Sequence, residues 1–265
     1  AELGTASTFG TPGTPGYMAA QKAQAVAAYT YILYYNQTMK EPYPYILPEL
    51  NLNNATDKKI YDAVGKVVGI KILSGRNPLC ALYSSSTPGV TADNKYVFGG
   101  PLPYGSVVSK YDDKEHVGDS GWETTLALSK EGLIEKVEDF LIDPEKPYNP
   151  EVSIEGDFAI TSYDPYGKYA LTTNLTYTNI YGNTQTLSGY QLRAALGLRS
   201  QAIQVIATGN TITLRTQGWG HGVGLSQWGA VGYAKYDNWD YKRILSHYYS
   251  ITDSSAHRLV APVWD

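Results

Sequence analysis

The sequence predicts an α+β fold of mixed helices and mostly antiparallel strands, and three observations lead there. Some segments repeat small and apolar residues at spacings of three and four, others are short runs rich in Val, Ile, Thr and Tyr, and the two kinds interleave without a regular strand-helix-strand period. At 265 residues the chain is long enough for one large domain or two lobes around a substantial apolar core.

The elements follow in order. Gly10-Thr11-Pro12-Gly13-Thr14-Pro15-Gly16 is a low-complexity turn segment that propagates neither helix nor ladder. From Tyr17, the series Ala19, Ala23, Val26, Ala27, Thr30 and Leu33 marks one face of a helix that ends before Pro42 and Pro44. Asn54-Ala55-Thr56-Asp57 caps a short helix through Val64. Lys66 to Leu73 and Leu79 to Ser84 read as strands, with Gly75-Arg76-Asn77-Pro78 turning between them. Gly99-Gly100-Pro101-Leu102-Pro103 is a loop. Trp122 to Leu128 is strand-like, and Ser129 caps a helix through about Phe140. Ile154 to Tyr181 alternates as a hairpin or meander broken at Asp164-Pro165-Tyr166-Gly167. Ser188-Gly189-Tyr190-Gln191 is a capping box opening a short helix, and Gly209-Asn210 joins two runs as a hairpin. Helices from about Ser226 and from Tyr241 to Tyr249, the latter capped by Asp240, close the pattern.

Composition excludes several function classes. Lys plus Arg number 21 against 25 Asp plus Glu, with no basic block, which argues against nucleic acid or an anionic membrane surface as partner. A single cysteine, Cys80, rules out an intrachain disulfide framework and any multi-cysteine zinc site; flanked by Leu79 and Ala81, it reads as a buried strand thiol. No apolar run within the sequence approaches the roughly 20 residues that span a bilayer, and no signal peptide is present. A membrane attachment is therefore expected only through a segment outside these residues. Tyrosine is abundant, 24 against 4 phenylalanines, which suits half-buried strands and also ring-stacking surfaces for sugars or peptides.

Gly218-Trp219-Gly220-His221-Gly222-Val223-Gly224-Leu225-Ser226-Gln227-Trp228-Gly229-Ala230 is the most unusual stretch. Its alternating glycines permit close backbone approach, and a helix starting at Ser226 directs free N–H groups out of the loop. The spacing is not that of a phosphate loop. His221 has no metal-type ligand beside it in sequence, and His116, His247 and His257 are scattered, so a hydrogen-bonding histidine is expected ahead of a metal site assembled from distant residues, and no cofactor is expected. Asp112-Asp113-Lys114-Glu115 reads as a solvated acidic turn rather than a paired-carboxylate site. No Ser-His-Asp arrangement has local support.

Five segments, in order, resemble the motifs of the stage II sporulation protein D family, the SpoIID/LytB domain. Gly218 to Ala230 resembles its Gly-His-Gly-Val-Gly-Met-Ser-Gln-Tyr-Gly-Ala signature. Lys22-Ala23-Gln24-Ala25-Val26-Ala27-Ala28 resembles its helical motif, and Ala81 to Ser86 its Ser-rich strand end. Val97 to Tyr104, followed by Tyr111-Asp112, resembles its Trp-Gly-Gly-x-x-Pro-Tyr and Ser-Pro-Tyr-Asp segments. Leu192-Arg193 through Leu198-Arg199-Ser200 resembles its Leu-Arg…Leu-Gly-Leu-Arg-Ser helix.

The resemblance implies that residues 1–265 form one catalytic domain, with the option of two lobes around a glycan groove, acting as a lytic transglycosylase on peptidoglycan. It places one essential glutamate upstream of the Lys-Ala-Gln helix, where Glu2 stands. One carboxylate suffices for this reaction. It protonates the glycosidic oxygen and then takes a proton from the C6 hydroxyl of the same muramic acid, which closes a 1,6-anhydro ring without a catalytic water. Gln24, Ser84, Ser85, Tyr104, His221, Ser226 and Gln227 are the expected contacts to sugar hydroxyls and N-acetyl groups. The resemblance further implies an extracytoplasmic location, a part in sporulation, glycan strands stripped of stem peptides as substrate, and a cell-wall amidase as partner. Leu3 stands where the family has Met, and Tyr29 where it has Arg. The alternative left open is a noncatalytic glycan-binding or hydrolase-modifying module of the same fold.

Overall fold

The computed structural model describes residues 17–44, 51–115, 122–141, 154–163, 172–179, 181–252 and 257–261. The Gly-Thr-Pro segment, Glu2 and the Asp164–Gly167 break lie outside them. Along the chain run helices α1 (Tyr17–Met39) and α2 (Ala55–Gly65), then short strands β1 (Lys71–Ser74), β2 (Asn77–Pro78) and β3 (Tyr83–Ser84). One-turn helix α3 (Asp112–Glu115) precedes β4 (Glu123–Ser129), α4 (Lys130–Leu141), β5 (Ile154–Tyr163), β6 (Thr172–Asn179), β7 (Thr184–Ser188) and α5 (Gly189–Leu196). Next come β8 (Ile203–Thr208), β9 (Thr211–Gln217), β10 (Leu225–Ser226), α6 (Gln227–Tyr236), α7 (Tyr241–Tyr249) and β11 (His257–Val260). Helices and mostly antiparallel strands in several small sheets make this an α+β fold.

The described residues divide into two compact units, drawn from 1–93, 101–116 and 222–265, and from 94–100 and 117–221. In the first unit α1 is the central element. Its Ala-rich sequence carries no Gly or Pro, and Ala20, Ala23, Gln24, Val26, Ala27 and Thr30 line a buried face at helical spacing. Thr30 returns its hydroxyl proton to the Val26 carbonyl at 2.6 Å and accepts the Ile72 N–H at 3.0 Å, which ties β1 to the helix. β1 is flanked by β11 and β2, both antiparallel. A second, two-stranded sheet pairs β3 with β10 in parallel, in register Tyr83 with Leu225 and Ser84 with Ser226.

Two strand expectations need correction here. Residues 66–69 form turns, with Gly69 at φ +73°, so the ladder starts only at Lys71. The run from Leu79 to Ser84 is likewise not one strand: Asn77–Pro78 folds back on Leu73 and Ser74, and regular pairing resumes only at Tyr83. Cys80 therefore lies outside any strand and is only partly buried. Periodicity identified apolar content in this stretch without revealing where its hydrogen-bond partners lie.

The second unit follows the sequence closely. β5 and β6 form the expected antiparallel pair, which β7, beyond the expected stretch, extends to three strands, and β4, β9 and β8 form a three-stranded antiparallel sheet with the Thr208–Thr211 turn at its tip. Leu133 and Val137 from α4, Leu192 and Leu196 from α5, and Leu175, Leu187, Ile203, Ile212 and Leu214 from the strands make one apolar core. Burying each such side chain is worth about 1.5–3 kcal/mol. Both ends of α5 are fixed by its own sequence: Ser188 and Gln191 form the reciprocal capping box, and Gly197 takes the left-handed C-cap at φ +63°.

Candidate functional site

In the first unit the chemistry-bearing residues gather where β3 and β10 run side by side. Gly224 enters this point at φ +74°, and a Cβ there would run into the Leu82 carbonyl, so only glycine brings the two chains this close. Leu225 N–H then bonds to Leu82 O at 3.1 Å and Trp228 N–H to Ser85 O at 3.0 Å. Ser226, next on the chain, is the N-cap of α6 and accepts the Gly229 N–H at 3.1 Å.

Beneath that helix start lies Asp112, fully buried. Its Oδ1 accepts the Thr87 N–H at 2.6 Å and the Ser226 hydroxyl at 2.5 Å, and its Oδ2 accepts the Ser109 hydroxyl, which also bonds to the buried Tyr248 hydroxyl at 2.7 Å. A Cβ on Gly229 would collide with Ser109, Tyr248 and Asp112 together, and one on Gly232 with Tyr111. The two glycines thus let α6 settle onto this carboxylate. Burial pushes the Asp112 pKa up to about 7 despite the opposing hydrogen bonds from Ser109, Ser226 and Thr87. The solvated acidic turn expected from the sequence is overturned: Asp112 is enclosed, and Glu115, also buried, pairs with Lys235 at 2.9 Å. Sequence gave the adjacency of these acids but not the helix that covers them.

The predicted contact residues fall into distinct environments. Gln24 is completely buried on α1, and neither its amide nitrogen nor its amide oxygen has a hydrogen-bond partner. The Ser84 hydroxyl, at the end of β3, is also buried and unpartnered. Such groups cost about 1–3 kcal/mol each, so folding alone gives no reason to keep them. Ser85 is partly exposed beside Ser84, and Gln227 sits in the first turn of α6, largely buried. Ser226 is committed to the helix cap and to Asp112.

Tyr104, a contact candidate from the sequence, is engaged within the first unit at both its hydroxyl and its ring. Its hydroxyl donates to Cys80 O at 2.6 Å and accepts the Leu82 N–H at 3.2 Å, while its ring meets Tyr249 edge-on at 5.1 Å. Tyr249 in turn donates to Leu82 O at 2.8 Å. Together they hold the irregular 80–82 segment whose carbonyls and N–H groups lack a regular ladder. Burial raises both phenols well above their ordinary range, so both remain neutral donors. The Cys80 thiol is raised to about 11 by burial, which keeps it protonated and a poor nucleophile.

His221 belongs to the second unit. Its ring meets Phe98 edge-on at 5.2 Å, and the residue is partly exposed. Dense packing and the nearby Arg193 guanidinium push its pKa down to about 4, so the imidazole is neutral at ordinary pH. It is suited to accepting or donating a hydrogen bond rather than to delivering a proton as an imidazolium. The sequence did not single out the two arginines beside it as site residues, although both stand in a matched segment: Arg193 Nε donates to Arg199 O at 3.1 Å, and the Arg199 guanidinium lies 4.5 Å over the Trp219 ring.

Among the described residues no group of three or more His, Cys, Asp or Glu is placed to hold a metal ion, and no helix is long and apolar enough to cross a membrane.

The strand end, the Gly-rich crossing and the Ser226-capped helix are built from the segments that carry the family resemblance, and comparison with curated proteins agrees. The chain is 32% identical over 203 residues to stage II sporulation protein D of Bacillus subtilis (strain 168), with 75% of this chain and 51% of that protein aligned. The chain belongs to the stage II sporulation protein D family. Stage II sporulation protein D of Bacillus amyloliquefaciens is 31% identical over 201 residues, again covering 75% of this chain and 51% of the relative. The amidase enhancer of Bacillus subtilis (strain 168) is 26% identical over 279 residues, covering 90% of this chain and 38% of that protein. The chain thus spans about half the length, or less, of these three relatives. No protein-family model matches it.

Proposed function

We propose that this member of the stage II sporulation protein D family is a peptidoglycan lytic transglycosylase acting outside the cytoplasm, in the cell wall, during sporulation. The observation that carries the reading is the pair of buried, unpartnered polar groups, the Gln24 amide and the Ser84 hydroxyl, at two positions that the family motifs assign to glycan contact. A sugar N-acetyl group offers an acceptor and a donor for Gln24, and a ring hydroxyl serves Ser84. Ser85 and Gln227 flank the same strand end, and Ser226 and Tyr104 hold its backbone.

Glu2 is the acid and then the base. Its proton goes to the glycosidic oxygen as the bond to C1 of N-acetylmuramic acid breaks; the C6 oxygen attacks C1, and its proton returns to the carboxylate. The products are an N-acetylglucosamine 4-hydroxyl and a 1,6-anhydro end. Strands already stripped of stem peptides are the preferred substrate, which makes an amidase the working partner. Incubating such strands with the chain and with Glu2→Gln, then reading products by mass, tests the reading. Anhydro ends from the parent and none from Glu2→Gln are expected. No such ends from the parent, or equal yields from both, would sink it.

A noncatalytic, hydrolase-modifying module of the same fold is the second reading. It is favoured by the likeness to an amidase enhancer over most of the chain and by the exposed Tyr29 where the family has Arg. Stimulation of a purified amidase on intact wall by both the parent and Glu2→Gln, without anhydro products, is its signature.

A further inference from the structure

Within the second unit, three partly exposed aromatic rings surround two arginines. Trp219, Tyr190 and Phe98 are each about two-fifths exposed, well above what burial in a core allows. Phe98 meets both Tyr190 at 5.0 Å and His221 at 5.2 Å, and the Arg199 guanidinium stacks over Trp219 at 4.5 Å. Arg193 joins the two ends of the patch: its Nε bonds to Arg199 O, and its charge is felt by both Tyr190 and His221. The Gly220 N–H also bonds to Arg199 O, at 2.8 Å, which fixes the loop bearing Trp219 against this backbone.

Among the described residues the charge here has no counterpart: neither arginine is in an ion pair, and Arg199 Nη1 is shut off from solvent without an acceptor. A guanidinium in that condition gains most from a planar two-oxygen anion, which it binds through paired N–H groups at a strength no neutral acceptor matches. The aromatic rings add the second half of the requirement, since their faces pack on the apolar C–H surface of a pyranose.

We propose that Arg193 and Arg199, with Trp219, Tyr190 and Phe98, form a subsite for a sugar that carries a free carboxylate. In peptidoglycan that sugar is N-acetylmuramic acid whose lactyl group is not amide-linked to a peptide. The inference rests on the glycan reading above and deepens it, because it gives a physical reason for preferring peptide-free strands: an amide at that carbon removes the negative charge the arginines require.

The probe is a peptide-free tetrasaccharide of alternating N-acetylglucosamine and N-acetylmuramic acid, compared with the same molecule after conversion of its lactyl carboxylates to methylamides. Binding to Glu2→Gln is followed by calorimetry, with N-acetylalanine as a carboxylate lacking a sugar. The free acid is expected to bind at least about tenfold more tightly than the methylamide, consistent with a charge-assisted pair, and to weaken as salt rises. Arg199→Gln should abolish that preference, Arg199→Lys should keep part of it, and Trp219→Ala should weaken both ligands while retaining it. Thermal melts establish that each variant is folded. Equal binding of acid and methylamide, a preference that survives both Arg199→Gln and Arg193→Gln, or equal binding of N-acetylalanine and the tetrasaccharide overturns the proposal. Cleavage that persists in Glu2→Gln overturns the single-glutamate mechanism alone. A normal carboxylate preference with no cleavage by the parent overturns lytic activity and leaves the subsite standing.

Discussion

Ser226 and Asp112, far apart in sequence, share a hydrogen bond of 2.5 Å at the start of helix α6. The same serine oxygen accepts the Gly229 N–H, so one side chain caps the helix and anchors it to a buried carboxylate. Thr87, just beyond the end of strand β3 at Ser84, donates its N–H to that carboxylate as well. The strand end and the helix start are thus positioned by one acid.

The Asp112 bond network makes stability depend on pH in a stated direction. Its folded pKa, about 7, lies above the ordinary carboxylate value of 3.8, so the folded state holds the proton more tightly than the unfolded chain. The stabilisation is complete below the unfolded pKa and is lost as pH rises through about 7. Asp112→Asn keeps an acceptor for Thr87 and Ser226 and carries no charge, so it should flatten this dependence in melts recorded from pH 4 to 8. Asp112→Ala leaves several buried donors without an acceptor and should cost about 3 kcal/mol or more.

Gly224 and Gly209 both have positive φ, but only one of them touches anything. Gly224→Ala drives a Cβ into the Leu82 carbonyl and should cost more than about 3 kcal/mol, enough to compromise folding of a marginally stable unit. Gly209→Ala, in the open hairpin turn, should cost about 1–2 kcal/mol from the left-handed backbone alone. Chemical denaturation of the two variants separates the effects.

Gln24 sets stability against function. Gln24→Met removes two buried polar atoms without partners at nearly constant volume, so the melting temperature should rise, by the equivalent of about 1–2 kcal/mol. Glycan binding and turnover should fall at the same time. A variant that is less stable than the parent would show that the amide is satisfied in solution.

His221 should titrate with a midpoint near 4 in a carbon- or nitrogen-detected NMR titration, and turnover should not follow an imidazole pKa between pH 5 and 8. Arg193→Gln removes the neighbouring positive charge and should move that midpoint upward. Burial, the larger cause, remains, so the midpoint should stay below the ordinary value of 6.5.

Local rules carried much of the fold. The capping box at Ser188, the Asp240 cap of α7, the Ala-rich face of α1 and the Gly209-Asn210 turn each involve residues within a few positions of one another, and the structure has them as the sequence indicates. The family motifs point to Gln24, Ser84 and Ser226 as glycan contacts, a role that rests on the binding and turnover experiments. Glu2 lies outside the described residues, so its place in the site rests on the experiment above.

Long-range packing decided the rest. Nothing near Asp112 in sequence announces that Ser226, Tyr248 and Gly229 will close over it, and without that enclosure its carboxyl would be an ordinary surface acid. Tyr104 is a sugar-contact candidate through the family motif; in the fold its hydroxyl is engaged by the irregular backbone at 80–82 and its ring by Tyr249, which no local pattern announces. Nothing in the sequence marks Arg193 and Arg199 as having no ion-pair partner among the described residues, because whether a carboxylate lies near a guanidinium is a property of the folded neighbourhood. The sequence by itself determined which residue types were available and which short segments fold regularly. Only the tertiary structure decided which polar groups were satisfied internally and which were left for a ligand, because that depends on distances between residues the chain brings together from far apart.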